Sequence, residues 1–246
     1  MPLKALLLGS ISVVADTSEL QREAYNSAFR EAGLDWSWDR ATYRDMLMIN
    51  GGKKRLEHYS KEVGTELSAA QMEQIHADKT RIFDDRMQQD GIGLRTGIAR
   101  LISEAKGAGV KVGFVSATSR ANIEALAQAS RGALNLGDFD VVTDGSMVDA
   151  RKPDPAIYTL ALEKLGVDAA DALAIEDTAT SAQSAVDACI TTIGLPNANA
   201  KDQDWSGVKA VFSSLGDGNE AAAITRSPVE APDQIDIGWL RKLLDA

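Results

Sequence analysis

Short apolar runs recur along this chain with helix-patterned sequence between them, and no other feature constrains its fold as much. Residues 5–8, 110–116, 139–143, 172–176, 191–195 and 208–212 are predicted strands. Residues 97–109, 120–129, 154–165 and 179–188, lying between them, carry helical spacing. Strands joined by helices pair in parallel through crossovers, which predicts an α/β fold built on a doubly wound parallel sheet. One stretch breaks the rhythm. Residues 17–89 are polar, helically spaced throughout and hold no good strand, so they are predicted to form an all-helical insertion after the first strand. The organisation expected is an α/β core of residues 1–16 and 90–246 with a helical cap of residues 17–89. Asp16, with Glu19 three positions on, predicts a capping box opening the insertion's first helix. Residues 197–204 and 216–232 read as loops, and 220–232 as a disordered or surface-wrapping segment.

The first strand has a competing reading, because Lys4 followed by apolar residues 5–15 and a small residue before Asp16 imitates a secretory leader. Leu6, Leu7 and Leu8 are, however, the only candidates for the opening strand of the core, and the strand reading is adopted. No run reaches the ~18 apolar residues of a membrane span. With 246 residues, a formal net charge of -10 and a pI near 4.8, the chain lacks the basic face that nucleic acid or an anionic membrane surface requires. A single cysteine, Cys189, excludes an intrachain disulfide and fits a reducing cytoplasm, the expected location.

Chemistry in open α/β sheets gathers at the carboxyl ends of the strands. Ser116 closes "VGFVS", Lys152 follows a turn in "DARKPDP", and Glu176 and Asp177 close "ALAIED". Taken singly, Ser116 reads as a helix cap and Lys152 as a solvated loop charge. The acidic pair is the better candidate, since carboxylates at a strand end face the ligand crevice. The first strand end is chemically bare: Gly9, Ser10, Ile11 and Ser12 offer no titratable group.

In this order the strand-end residues resemble the haloacid dehalogenase superfamily, in the subgroup with a helical cap after the first strand. The likeness extends to about Ser214 and is nearest to the CbbY-like sugar-phosphate phosphatases, through "QREAYNSAF", "AGLDWSWDRATYRDML", "GGKKRLEHY", "LRTGIARLISEAK" and "KPDPAIYTLAL". It implies a Rossmann-like core and a phosphorylated-sugar substrate such as xylulose bisphosphate. In that family an aspartate attacks phosphorus, and a second aspartate two residues on serves as acid and base. A Ser and a Lys hold the phosphoryl group, and an acidic pair helps to bind Mg²⁺.

Ser116, Lys152 and the Glu176–Asp177 pair match that pattern residue by residue. Gly9 and Ile11 fall where the nucleophile and the acid/base belong, and neither carries a carboxylate. The resemblance therefore implies a disarmed phosphatase in which Ser10, Ile11, Ser12, Ser116, Ala117 and Lys152 cradle phosphate. Glu176 and Asp177 remain as a degenerate metal site, with Mg²⁺ weak or absent. Without its carboxylates, the pocket is expected to hold phosphate with less repulsion. Aspartate restored at residues 9 and 11 would be expected to revive hydrolysis. A small phosphorylated metabolite is the expected ligand, and a protein partner is the other occupant considered. The alternative is a working phosphatase with a displaced nucleophile, a serine activated by Lys152.

Overall fold

The computed structural model describes residues 2–47, 49, 51–230 and 232–246; Met1, Met48, Asn50 and Ala231, which fall within ranges assigned above, lie outside them. The chain divides into two compact units, Met1–Asp16 with Ile92–Ala246, and Thr17–Gly91. The first unit opens with β1 (Ala5–Leu8) and the one-turn α1 (Ile11–Val14). The second consists of α2 (Ser18–Glu31), α3 (Arg40–Leu47), α4 (Gly52–Glu62) and α5 (Ala69–Asp90). The first then resumes with α6 (Ile98–Gly107), β2 (Lys111–Val115), α7 (Arg120–Ala129), β3 (Val141–Thr143), α8 (Ala156–Leu165), β4 (Ala172–Glu176) and α9 (Ala179–Asp187). It ends with β5 (Thr191–Gly194), β6 (Ala210–Ser214), β7 (Ala223–Arg226) and α10 (Ile237–Asp245).

Among the described residues these strands make one sheet in the order β3-β2-β1-β4-β5-β6-β7, parallel except for the last pair. β1 lies between β2 and β4, with Leu8 level with Phe114 on one side and Ile175 on the other. Alternate residues of β1 serve different cores, as a two-residue side-chain period requires. Leu6 and Leu8 join α6, α7 and α10 on one face, while Ala5 and Leu7 join α8 and α9 on the other. A strand buried on both faces must be apolar throughout, which accounts for the unbroken Ala-Leu-Leu-Leu. Each of those leucines contributes about 1.5–3 kcal/mol by leaving water.

Two expectations need correction. The 220–232 stretch is not a loose wrap: its residues 223–226 form β7, an antiparallel edge strand on β6, and Arg226 donates to the carbonyls of Trp205 and Val208. Arg100 anchors the following segment by donating to the carbonyls of Gly216 and Ile235 at 2.8 and 3.0 Å. This lets α10 bury Leu240, Leu243 and Trp239, with Trp239 edge-on to Phe212. The start of α2 also differs from the expectation of an N-cap at Asp16. Thr17, one residue later, is the N-cap and makes no side-chain cap bond, and the Asp16 carboxylate accepts from the N–H of Ala198. A true capping box, Ser68 with Gln71, opens α5.

The helical unit packs around Trp38, which is fully buried against Tyr25, Phe29, Tyr43 and Tyr59. Asn26 fixes it by accepting from the Trp38 N–H at 2.8 Å and donating to its carbonyl at 2.9 Å. No helix among the described residues is long and apolar enough to cross a membrane.

Candidate functional site

The carboxyl ends of β2, β1 and β4 lie side by side, so Ser116, Gly9 and Glu176 emerge at one edge of the sheet. Gly9 continues the pairing beyond β1, donating its N–H to the Ile175 carbonyl at 2.9 Å. Ser10 turns the chain into α1: its Oγ accepts from Val13 N–H at 3.1 Å and donates to Asp177 Oδ1 at 2.7 Å. Ile11 is half-buried against the core, and the Ser12 carbonyl accepts from Arg95. Ser116 is buried and caps no helix; its Oγ accepts from Thr118 N–H at 3.2 Å, and α7 is capped by Ser119. Beside it, the Ala117 carbonyl crosses the loop after β3 where only glycine, Gly145, leaves room.

Lys152 ties the three strand ends together. Its ammonium donates to Gly9 O at 2.6 Å, Val115 O at 3.1 Å and Glu176 Oε1 at 2.5 Å, so all three of its protons are engaged. The Lys152 side chain is 6% exposed and that of Glu176 0%. Tyr158, from α8, donates its hydroxyl to the same Glu176 oxygen at 2.6 Å and presents its ring to the ammonium, 4.7 Å from the centroid. Burial pushes the Glu176 carboxyl above its ordinary range, with Asp177 adding to the effect and Lys152 opposing it. Asp177 is satisfied separately, by Ser10 on one oxygen and the Asn197 amide at 2.7 Å on the other.

Gly9 owes its identity to this cluster. A Cβ on residue 9 would overlap Cδ and Oε1 of Glu176 and the hydroxyl oxygen of Tyr158. Its φ is not in the left-handed region, so the need is for space and not for backbone freedom. Glu176 reaches across from β4 into the space a side chain at the end of β1 would take. Residues 9 and 11 bring no carboxylate here, and Lys152, Glu176 and Asp177 sum to a net formal charge of -1. The proposed serine–lysine pairing is not formed either, since Ser10 bonds to Asp177 and the protons of Lys152 go elsewhere.

The Mg²⁺ implied by the resemblance would be held by Glu176 and Asp177. Mg²⁺ takes hard oxygens in octahedral array, but Glu176 is turned inward onto an ammonium and both Asp177 oxygens have partners. Among the described residues no three of His, Cys, Asp and Glu gather in one place.

Tyr158 and Asn197 escaped the sequence reading because one looks like an ordinary core residue of α8 and the other like a loop residue. Lys79 escaped it as well. Within the helical unit its ammonium donates to Gln21 Oε1 and lies over the Tyr25 and Phe83 rings, 5.1 and 5.2 Å from their centroids. Burial, with Arg55 adding, lowers its pKa to about 8 from 10.5. An unfolded Lys79 keeps its proton up to that higher value, so the unfolded chain binds more protons between about 8 and 10.5 and stability rises with pH there. Below 8 the burial cost stands in full, about 3 kcal/mol at 1.36 kcal/mol per unit. Lys79→Met, losing about 1 kcal/mol with the Gln21 bond, should therefore stabilise the chain by about 2 kcal/mol at pH 7 and flatten its stability between pH 8 and 10. Urea denaturation of both proteins across that range is the measurement; parallel pH profiles would rule the explanation out.

The chain matches the haloacid dehalogenase-like hydrolase family over residues 6–188. Protein CbbY (plasmid) of Cupriavidus necator is 38% identical over 220 residues, 87% of each chain. The crystal structure of CbbY from Rhodobacter sphaeroides in complex with phosphate superposes with a TM-score of 0.75 at 36% identity, covering 86% of this chain and 94% of that one. A variant of the same protein, in complex with xylulose-(1,5)bisphosphate, gives the same figures.

Proposed function

The chain belongs to the haloacid dehalogenase-like hydrolase family, and on that premise we propose that it binds a phosphorylated sugar and does not hydrolyse it. One observation carries the second half: the volume of a side chain at residue 9 is filled by Glu176 and Tyr158, leaving the end of β1 no carboxylate with which to attack phosphorus. The first half is supported by the relatives, whose structures hold phosphate and xylulose bisphosphate. In this reading the Ser116 hydroxyl and the first backbone N–H groups of α1 donate to the phosphoryl oxygens. Ala117 lines the cradle, and Lys152 sets the charge beneath it. Ile11 stands where an acid/base would be and contributes only its backbone.

Proton transfer has no agent at this edge. Glu176 is buried beneath Lys152 and Tyr158, Asp177 is held by Ser10 and Asn197, and the protons of Lys152 are all engaged. Purified protein incubated with Mg²⁺ and a panel of sugar phosphates and bisphosphates should release no phosphate above a heat-killed control. The same compounds should raise the melting temperature. At a hundredfold excess over Kd the gain is about 2.7 kcal/mol, or about 5 °C for a chain of this size. Phosphate release lost on Ser10→Ala would instead establish a phosphatase with a displaced nucleophile. A melting temperature unmoved by every compound would reject the binding.

A further inference from the structure

We propose that Lys152 is the resident cation of this crevice, its ammonium taking the place of a divalent metal, and that glycine at residue 9 is what allows Glu176 to complete the ammonium's shell. The inference deepens the reading of the crevice as an anion-binding site and rests on it.

The ammonium is surrounded as a bound cation would be. Two backbone carbonyls, from Gly9 and Val115, and one carboxylate oxygen, from Glu176, match its three protons. The Tyr158 ring closes a further side at 4.7 Å. Glu176 is committed inward: Oε1 takes Lys152 and Tyr158, and Oε2 accepts from the Asp177 N–H at 3.3 Å. A dication drawn to the acidic pair would have to displace the ammonium and break the Tyr158 bond in a fully buried place. The ammonium and a metal are therefore alternatives.

Residue 9 decides between them. With any side chain there, Glu176 and the Tyr158 hydroxyl lose the space they occupy, and the carboxylate must turn away from Lys152. The glycine and the inward-turned glutamate form one coupled arrangement.

Two measurements test this. Mn²⁺ titrated into the unaltered protein and followed by the free-ion electron paramagnetic resonance signal should show no site tighter than about 1 mM, the weak end of oxygen-ligand sites. A stoichiometric site in the micromolar range would overturn the proposal. In the second, Gly9→Ala should lower the folding equilibrium constant by about 10- to 100-fold in the natural background. In a Glu176→Ala/Tyr158→Phe background, where the obstructing atoms are gone, it should lower it less than about threefold. Equal losses in the two backgrounds would refute the coupling. Should that background not fold, the Mn²⁺ titration still decides. Tight Mn²⁺ binding without hydrolysis would defeat this inference and leave the non-hydrolysing reading intact, whereas hydrolysis in excess chelator would do the reverse.

Discussion

Aspartate introduced at residues 9 and 11 together should destabilise the chain by about 4 kcal/mol or more and release no phosphate, although sequence comparison alone suggests that it would revive hydrolysis. At residue 9 the new side chain overlaps Glu176 and the Tyr158 hydroxyl, and overpacking of this kind costs about 1–3 kcal/mol. The new carboxylate also arrives next to a buried one with a single ammonium between them, and an uncompensated buried charge costs several kcal/mol more. Ile11, the first residue of α1, adds to the loss because it packs against the core. Chemical denaturation of the double variant checks the magnitude. The obstruction is specific, so its removal should be informative: with Glu176→Ala and Tyr158→Phe added, the aspartate at residue 9 can itself pair with Lys152. More than half of the lost stability should return. A double variant as stable as the parent would mean that Glu176 swings away freely and that the packing argument is wrong.

The second large effect concerns Lys152. Removing one partner of a buried ion pair costs about 3–5 kcal/mol, because the other is left charged in a place without water. Lys152→Met leaves Glu176 with only the Tyr158 hydroxyl and the Asp177 N–H, and strands the carbonyls of Gly9 and Val115. Urea denaturation should show a loss in that range. Lys152→Met combined with Glu176→Gln should be less destabilised than the sum of the two single changes by about 1 kcal/mol or more, the coupling expected of groups in direct contact. Additive losses would show that the pair does not act as a unit.

Much of the framework was legible in the sequence, for reasons that particular residues make plain. Leu6 to Leu8 and Ala172 to Glu176 are apolar runs bounded by breaks in pattern, and a strand buried on both faces leaves that signature. The helical character of residues 17–89 showed in spacing alone. β7 was not legible because Ala223 to Arg226 is largely exposed and carries no alternation; β6 and the Arg226 side chain make it a strand. Asp16 illustrates a different limit, since the local capping pattern was present but α2 begins one residue later, after Thr17, and the Asp16 carboxylate accepts from Ala198, 182 residues away. At the site, the sequence placed Gly9, Ser116, Lys152, Glu176 and Asp177 along the chain, and the sheet order brings them to one edge. What it could not convey was direction. Whether Glu176 points outward to a ligand or inward to Lys152 depends on Tyr158 and on the missing side chain at residue 9, a three-body matter that no linear spacing encodes.

The position of β1 in the middle of the sheet bears on how the molecule is made. Its hydrogen-bonding partners are residues 111–115 on one side and 172–176 on the other, so neither edge of β1 is covered before β2 has been made and the second not before β4. Pairings so distant in sequence raise contact order and slow folding, and an unpaired apolar strand is a site of aggregation while it waits. Ala5 to Leu8 is thus an apolar segment that keeps one edge unpaired until β4 has been translated.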